Sequence, residues 1–241
     1  MNIPHAPLPA GPAQCHARRV GTIGFLHTAD AHVRVFRTLL AERDPRLLEA
    51  HLVDTGLLAA ARRDGVAAVS GAVEDRLRRL LRDGADVVVC TCSTIGAQAE
   101  AVGRAAGIPV LRVDRPMAEA AVRAGRAIAV VNSLDEAAAT VHPLLRQCAA
   151  ECDRDVELVD VECNDTWSSF EDGDLLTYAT GVADAVRCAV LGSAERIDVV
   201  VLAQASMAGA APLLRDLSVP VLTTPRLAVE SAVELVVGAA L

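Results

Sequence analysis

No lysine occurs anywhere in the 241 residues, so all 23 basic side chains are arginines. That absence removes Schiff-base chemistry with pyridoxal phosphate, the phosphate-gripping lysine of a Walker loop and any lysine general base. Aromatics are nearly as scarce, with three Phe, one Trp and one Tyr. A core must then be built from Ala, Val and Leu, which suits helices packed on buried strands better than an aromatic-rich β-sandwich. No Gly-x-Gly-x-x-Gly follows the first strand, whose glycines are Gly21 and Gly24, which argues against a bound nicotinamide dinucleotide. Thirty-one acidic residues leave a net charge of −8, and no arginine block is interleaved with aromatics, so nucleic acid is not an expected partner. No apolar run approaches membrane-spanning length, the start lacks a basic segment followed by an apolar one, and the seven cysteines are odd in number. The expectation is a cytoplasmic protein with reduced thiols and no membrane partner. Neither Cys90-Thr91-Cys92 nor the pair Cys148 and Cys152 has a matching Cys or His cluster at zinc-site spacing, so no metal is expected.

What is present is a rhythm. Residues 1–19 carry Pro4, Pro7, Pro9 and Pro12 with little periodic hydrophobicity and read as a flexible arm. From Val20 onward, short apolar runs alternate with helical spacing. The run Val20 to Leu26 is followed by Val33, Phe36 and Leu40, then by the patch at Leu52 and Val53, then by Val73, Leu77, Leu80 and Leu81. Such alternation predicts parallel strands joined by crossover helices, an α/β fold.

The sequence also repeats itself. Asp86-Val87-Val88-Val89-Cys90-Thr91-Cys92-Ser93-Thr94, ending later at Ile108-Pro109-Val110-Leu111, recurs as Asp198-Val199-Val200-Val201-Leu202-Ala203-Gln204-Ala205-Ser206, ending at Val219-Pro220-Val221-Leu222. Gly21 to Thr28 likewise matches Ala127 to Ser133, setting His27 against Asn132 and Thr28 against Ser133. Two similar doubly wound halves related by a pseudo-twofold are predicted. The first spans residues 20–113 and the second 114–222, with a C-terminal helix within 223–241 packing back on the first. Ligands of such sheets bind beyond the carboxyl ends of the strands, which places a site in the cleft between the halves.

Cys92 follows a buried strand and precedes Ser93-Thr94, which can cap a helix from about Ile95 to Ala106. Free amides and the dipole at a helix start favour a thiolate and can hold a substrate carboxylate. The bland alternative is a small buried hydrophobe. The segment Val88-Val89-Cys90-Thr91-Cys92-Ser93-Thr94 resembles the first active-site motif of the aspartate/glutamate/hydantoin racemase superfamily, a strand followed by Cys and then Asn or Ser and Thr. The segment Val201-Leu202-Ala203-Gln204-Ala205-Ser206-Met207 is similar to the second, in which a strand leads into another Cys. The resemblance implies an isomerase without organic cofactor, acting on a small carboxylic or amino acid. It also implies two thiols flanking the α-carbon, and Gln204 stands where the second is expected.

An amide is neither acid nor base at neutral pH, which leaves several routes open. Cys163 or Cys90 supplies the second proton, or a single thiol suffices, as in relatives similar to arylmalonate decarboxylases or maleate isomerases, with Gln204 donating to a developing oxyanion. Thr28, Ser133, Thr94 and Ser206 are candidate carboxylate ligands together with Ser93, Asn132 and Ala205, or serve as plain caps. His27 binds substrate, tunes the thiol or is structural. Arg115 and Arg226, equivalent in the two halves, grip a carboxylate, lie at the surface or pair locally with Asp114. Trp167 and Tyr178, read as lying in a polar stretch after Cys163, line a pocket or simply pack. Two other readings are a Ser206-based hydrolase built on Gln204-Ala205-Ser206-Met207-Ala208 and a non-catalytic binder of small acids. A homodimer is allowed by the apolar helices.

Overall fold

The computed structural model describes residues 20–192 and 196–238; the predicted arm at 1–19 lies outside them. The first half comprises β1 (Thr22–His27), α1 (Ala31–Arg43), β2 (Leu48–Val53), α2 (Thr55–Asp64), a 3₁₀ turn (Val66–Val69), α3 (Ser70–Arg82), β3 (Val87–Cys90), α4 (Ser93–Ala106) and β4 (Val110–Arg112). The second runs through α5 (Arg115–Ala124), β5 (Ala127–Asn132), α6 (Asp135–Glu151), β6 (Glu157–Glu162), a 3₁₀ turn (Asn164–Thr166), α7 (Trp167–Glu171), α8 (Leu175–Gly192), β7 (Val199–Leu202), a 3₁₀ helix (Ala205–Leu214), β8 (Val221–Thr223) and α9 (Thr224–Gly238). Each half is a four-stranded, all-parallel sheet, ordered β2-β1-β3-β4 and β6-β5-β7-β8. The identical order is the structural form of the repeat, and the expected α/β class with paired parallel sheets is what the chain adopts.

Strand position explains strand composition. β1, β3, β5 and β7 are central and buried throughout, so their residues are mostly apolar on both faces, with Thr22, His27 and Asn132 as buried polar exceptions at the strand ends. The outer strands β2 and β6 are half-exposed and carry Glu49, Glu157, Asp160 and Glu162, which discourage further pairing at the sheet edge. The aspartate opening each Val-rich repeat has a defined task. Asp86 accepts the backbone N–H of Thr22 at 2.8 Å, and Asp198 accepts those of Arg126 and Ala127 at 2.9 and 3.1 Å. Both fix the start of the neighbouring strand.

One face of the first sheet is covered by α1 and α9, where Ile23, Phe25, Phe36, Leu40, Val87 and Val89 meet Ala228, Val229, Ala232, Val233 and Val236. The other face carries α2, α3 and α4, with Val73, Leu77 and Leu80 of α3 turned inward. On the second sheet, Met117, Ala118, Ala121 and Val122 of α5 pack with α6 against Ile128, Val130, Val199 and Val201. The helix after the last strand of each half thus covers the sheet of the other half.

The region after Cys163 departs from expectation. Tyr178 sits in α8, a helix that by length and composition could cross a membrane, with mean hydropathy 1.2 over 18 residues, although no run of that kind was expected. Its Tyr178, Ala179, Val182, Ala183 and Val186 form the core against the second sheet, while Leu175, Leu176 and Leu191 of the same helix are exposed. The counterpart of α4 in this half is the 3₁₀ helix Ala205–Leu214; Gly209 and Pro212 weaken regular α-helix there.

Candidate functional site

The strand registers put the two halves into correspondence. Leu26 pairs with Cys90 in the first sheet, as Val131 pairs with Leu202 in the second. Counting on from these pairs, His27 matches Asn132, Thr91 matches Ala203, Cys92 matches Gln204 and Thr94 matches Ser206. All lie at the carboxyl ends of the central strands.

Cys92 is itself the N-cap of α4, with extended backbone at φ −108° and ψ 113°. Ser93 and Thr94, expected to cap that helix, instead form its first turn, so the helix starts two residues earlier than predicted. Cys92 thus immediately precedes the helix, its thiol makes no capping hydrogen bond, and the residue is 7% exposed. Cys90, two residues deeper on the same face, is fully buried, and burial pushes its thiol up to about 12. Gln204 occupies the matching N-cap, at φ −118° and ψ 140°, before Ala205.

Around Gln204 the hydrogen bonds have a direction. Its Oε1 accepts the backbone N–H of Ser133 at 2.7 Å and the Ser133 hydroxyl at 3.0 Å. A backbone N–H can only donate, so the amide oxygen is committed to Ser133 and the NH₂ side turns away from it. With its proton given to Gln204, Ser133 accepts from Tyr178 (Oγ to OH 3.1 Å), and Tyr178 in turn accepts from Ser206 (3.0 Å). Burial pushes the Tyr178 phenol up, so it stays neutral through ordinary pH. Tyr178, read from sequence as a pocket wall or packing residue, therefore links two of the candidate hydroxyls. Asn132 is 2% exposed, and its Oδ1 meets no donor among the described residues. Its backbone carbonyl accepts from the Cys163 Sγ at 3.1 Å, and burial raises that thiol too.

In the first half, Thr28 is buried just past β1. His27 lies between Thr91, at 2.9 Å from Nδ1 to Oγ1, and His51, at 2.8 Å from Nε2 to Nδ1. His51 Nε2 is 3.2 Å from Glu49, which also holds Arg37 at 2.6 Å. The row from Thr91 to Arg37 was not foreseen, because nothing in sequence reveals that β2 lies beside β1. His27 is held down at about 3, first by burial and then by His51 and His32. A depressed histidine binds its proton in the unfolded chain before the folded one, so its contribution is complete above the unfolded value and is lost as pH falls toward the folded value. Between pH 7 and pH 5, urea denaturation of the wild type should therefore lose about 2 kcal/mol more than that of His27→Gln. Equal losses in both proteins would place the acid sensitivity elsewhere.

Of the two arginines, Arg226 lies at the surface, one of the expected placements, and Arg115 is mostly buried. Arg115 binds Glu100 at 2.9 Å and Glu151 at 3.4 Å, and Arg226 binds Glu42 at 3.1 Å. The partner of Asp114 is Arg112, which sequence reasoning passed over. Both are buried and joined by two bonds of 2.6 and 2.8 Å. The local pair of Arg115 with Asp114 is thus replaced by contacts to glutamates on neighbouring helices.

The profile of the Asp/Glu/Hydantoin racemase family matches residues 18–232. The chain belongs to that family. No curated protein sequence matches it. Among solved structures, a glutamate racemase of Bacillus anthracis is similar at TM-score 0.66 and 18% identity, over 91% of this chain and 82% of that one. An aspartate racemase homologue from Pyrococcus horikoshii is similar at 0.71 and 14%, over 90% and 100%. A variant of arylmalonate decarboxylase in a sulfate-associated form is similar at 0.56 and 22%, over 90% and 94%. At these identities the structural likeness speaks to the fold alone.

Proposed function

We propose that this racemase-family chain is a cofactor-independent enzyme that moves a proton, or adds its thiolate, at carbon next to the carboxylate of a small acid, with Cys92 as its single reacting thiol. The observation that carries the reading is the unlike chemistry of two equivalent helix starts: a thiol at one and, at the other, an amide whose oxygen is tied to Ser133. As thiolate, Cys92 takes an α-proton; as thiol, it gives one to a carbanion left by loss of carbon dioxide. Gln204 takes the place of a second family cysteine and offers N–H to the oxyanion. The free amides of α4 with Ser93 and Thr94 supply the carboxylate grip. Isomerisation or decarboxylation fits this arrangement better than two-base racemisation, which needs a proton carrier on each face.

The hydrolase reading loses support at Ser206, whose hydroxyl partner is the neutral Tyr178 rather than a base. Proton NMR in deuterated water with amino acids, malonates, maleate and hydantoins tests the proposal. Deuterium at an α-carbon, decarboxylation or cis/trans conversion by the wild type is expected with at least one class. Binding without any conversion would identify a small-acid-binding protein instead.

A further inference from the structure

We infer that Arg112 and Asp114 are positioning residues for Cys92, a buried ionic clamp that holds the end of β3 against the first turn of α4 and so keeps the thiol at the helix start. The inference rests on the proposal that Cys92 is the reacting thiol. The pair touches the chain on both sides of that residue. Before it, Arg112 is the register partner of Cys90, and the N–H of Val113 donates to the Cys90 carbonyl at 3.0 Å. After it, Gly96 of α4 comes so near that a Cβ there would lie 3.0 Å from Arg112 Cβ and 4.0 Å from Asp114 Oδ1. The main chain of this segment is thereby paired with residue 90 while its side-chain fork lies against residue 96, and Cys92 is spanned between them.

Stability alone does not explain such a pair. Desolvating both ions costs about as much as their attraction returns, and apolar replacements of similar volume are often neutral or stabilising. The second half makes the same point by contrast. The residues matching Arg112 and Asp114 are Thr223 and Pro225, so the ionic fork occurs only in the half that carries the thiol. A bidentate guanidinium–carboxylate pair fixes orientation as well as distance, which is what a thiol dependent on a helix start requires. Asp114 also immediately precedes α5, tying the clamp to the crossing into the second half.

The test is the iodoacetamide alkylation rate of the Cys92-containing peptide at one fixed pH, followed by mass spectrometry, in wild type and in the double variant Arg112→Met/Asp114→Leu. The double variant leaves no unpaired charge and should keep its melting temperature within a few degrees. Its alkylation rate should fall by about threefold or more as the thiol shifts relative to the helix start. An unchanged rate in a folded double variant overturns the inference. Should that variant fail to fold, Arg112→Lys keeps the charge but loses the fork and should show a smaller fall; a wild-type rate there overturns it equally. A wild-type Cys92 that does not alkylate at any pH sinks the functional proposal itself, a different result from an alkylating Cys92 that ignores the pair.

Discussion

Cys92→Ala should abolish turnover, lowering the rate of α-deuteration or decarboxylation by about 10³-fold, the scale of a lost acid–base group, while the melting temperature changes by only a few degrees. We expect no other cysteine to substitute. Cys90 is fully buried with its thiol up at about 12, and the Cys163 thiol is raised by burial and engaged with the Asn132 carbonyl. Cys163→Ala should accordingly keep most of the activity. Single-turnover NMR with both variants separates the possibilities, and the same loss in both would restore a two-thiol mechanism with Cys163 as the second carrier. Cys92→Ser is the stricter control, since it keeps nearly the same volume but replaces the thiol by a hydroxyl of far lower acidity.

Gln204→Cys is the second large effect expected, and it is a gain. It places a thiol at the helix start that matches Cys92, so a substrate protonated on one face by the wild type acquires a carrier on the other. An enantiopure product incubated with this variant in deuterated water should racemise and take up deuterium at equal rates, whereas the wild type should return it without inversion. Gln204→Leu should show the opposite cost, about 10²-fold in kcat with little change in KM, as for removal of one oxyanion donor. Chiral chromatography after a fixed incubation decides the matter. Inversion by the wild type at a rate close to that of Gln204→Cys would show that a second proton donor already exists.

The sheets were legible because central parallel strands announce themselves as unbroken Val-rich runs, and because those runs recur with their leading aspartates. Cys92 and Gln204 were legible for the same reason, each lying two residues past such a run. The rest depended on neighbours distant in sequence. The spacing of Arg112 and Asp114, two apart around a strand end, was a readable sign that both face one side, yet their burial was not. The contact of His51 with His27 required knowing that β2 is the outer strand, and the burial of Tyr178 required recognising α8 as a helix despite its threonines and glycine. The early start of α4 shows the limit of cap rules: Cys92 takes the N-cap with no side-chain bond, where Ser93 and Thr94 were the better candidates by preference.

The helices exchanged after β4 and β8 bear on how the molecule comes apart. With α9 lifted away, Phe25, Val87 and Val89 would face water; with α5 lifted away, Ile128, Val130, Val199 and Val201 would. Neither half can therefore loosen without stripping the other, and the chain should melt in one calorimetric transition despite its duplicated plan. A fragment ending before α5 would keep only α1 on that face of its sheet, a partly uncovered species prone to associate with its own kind rather than an independent domain.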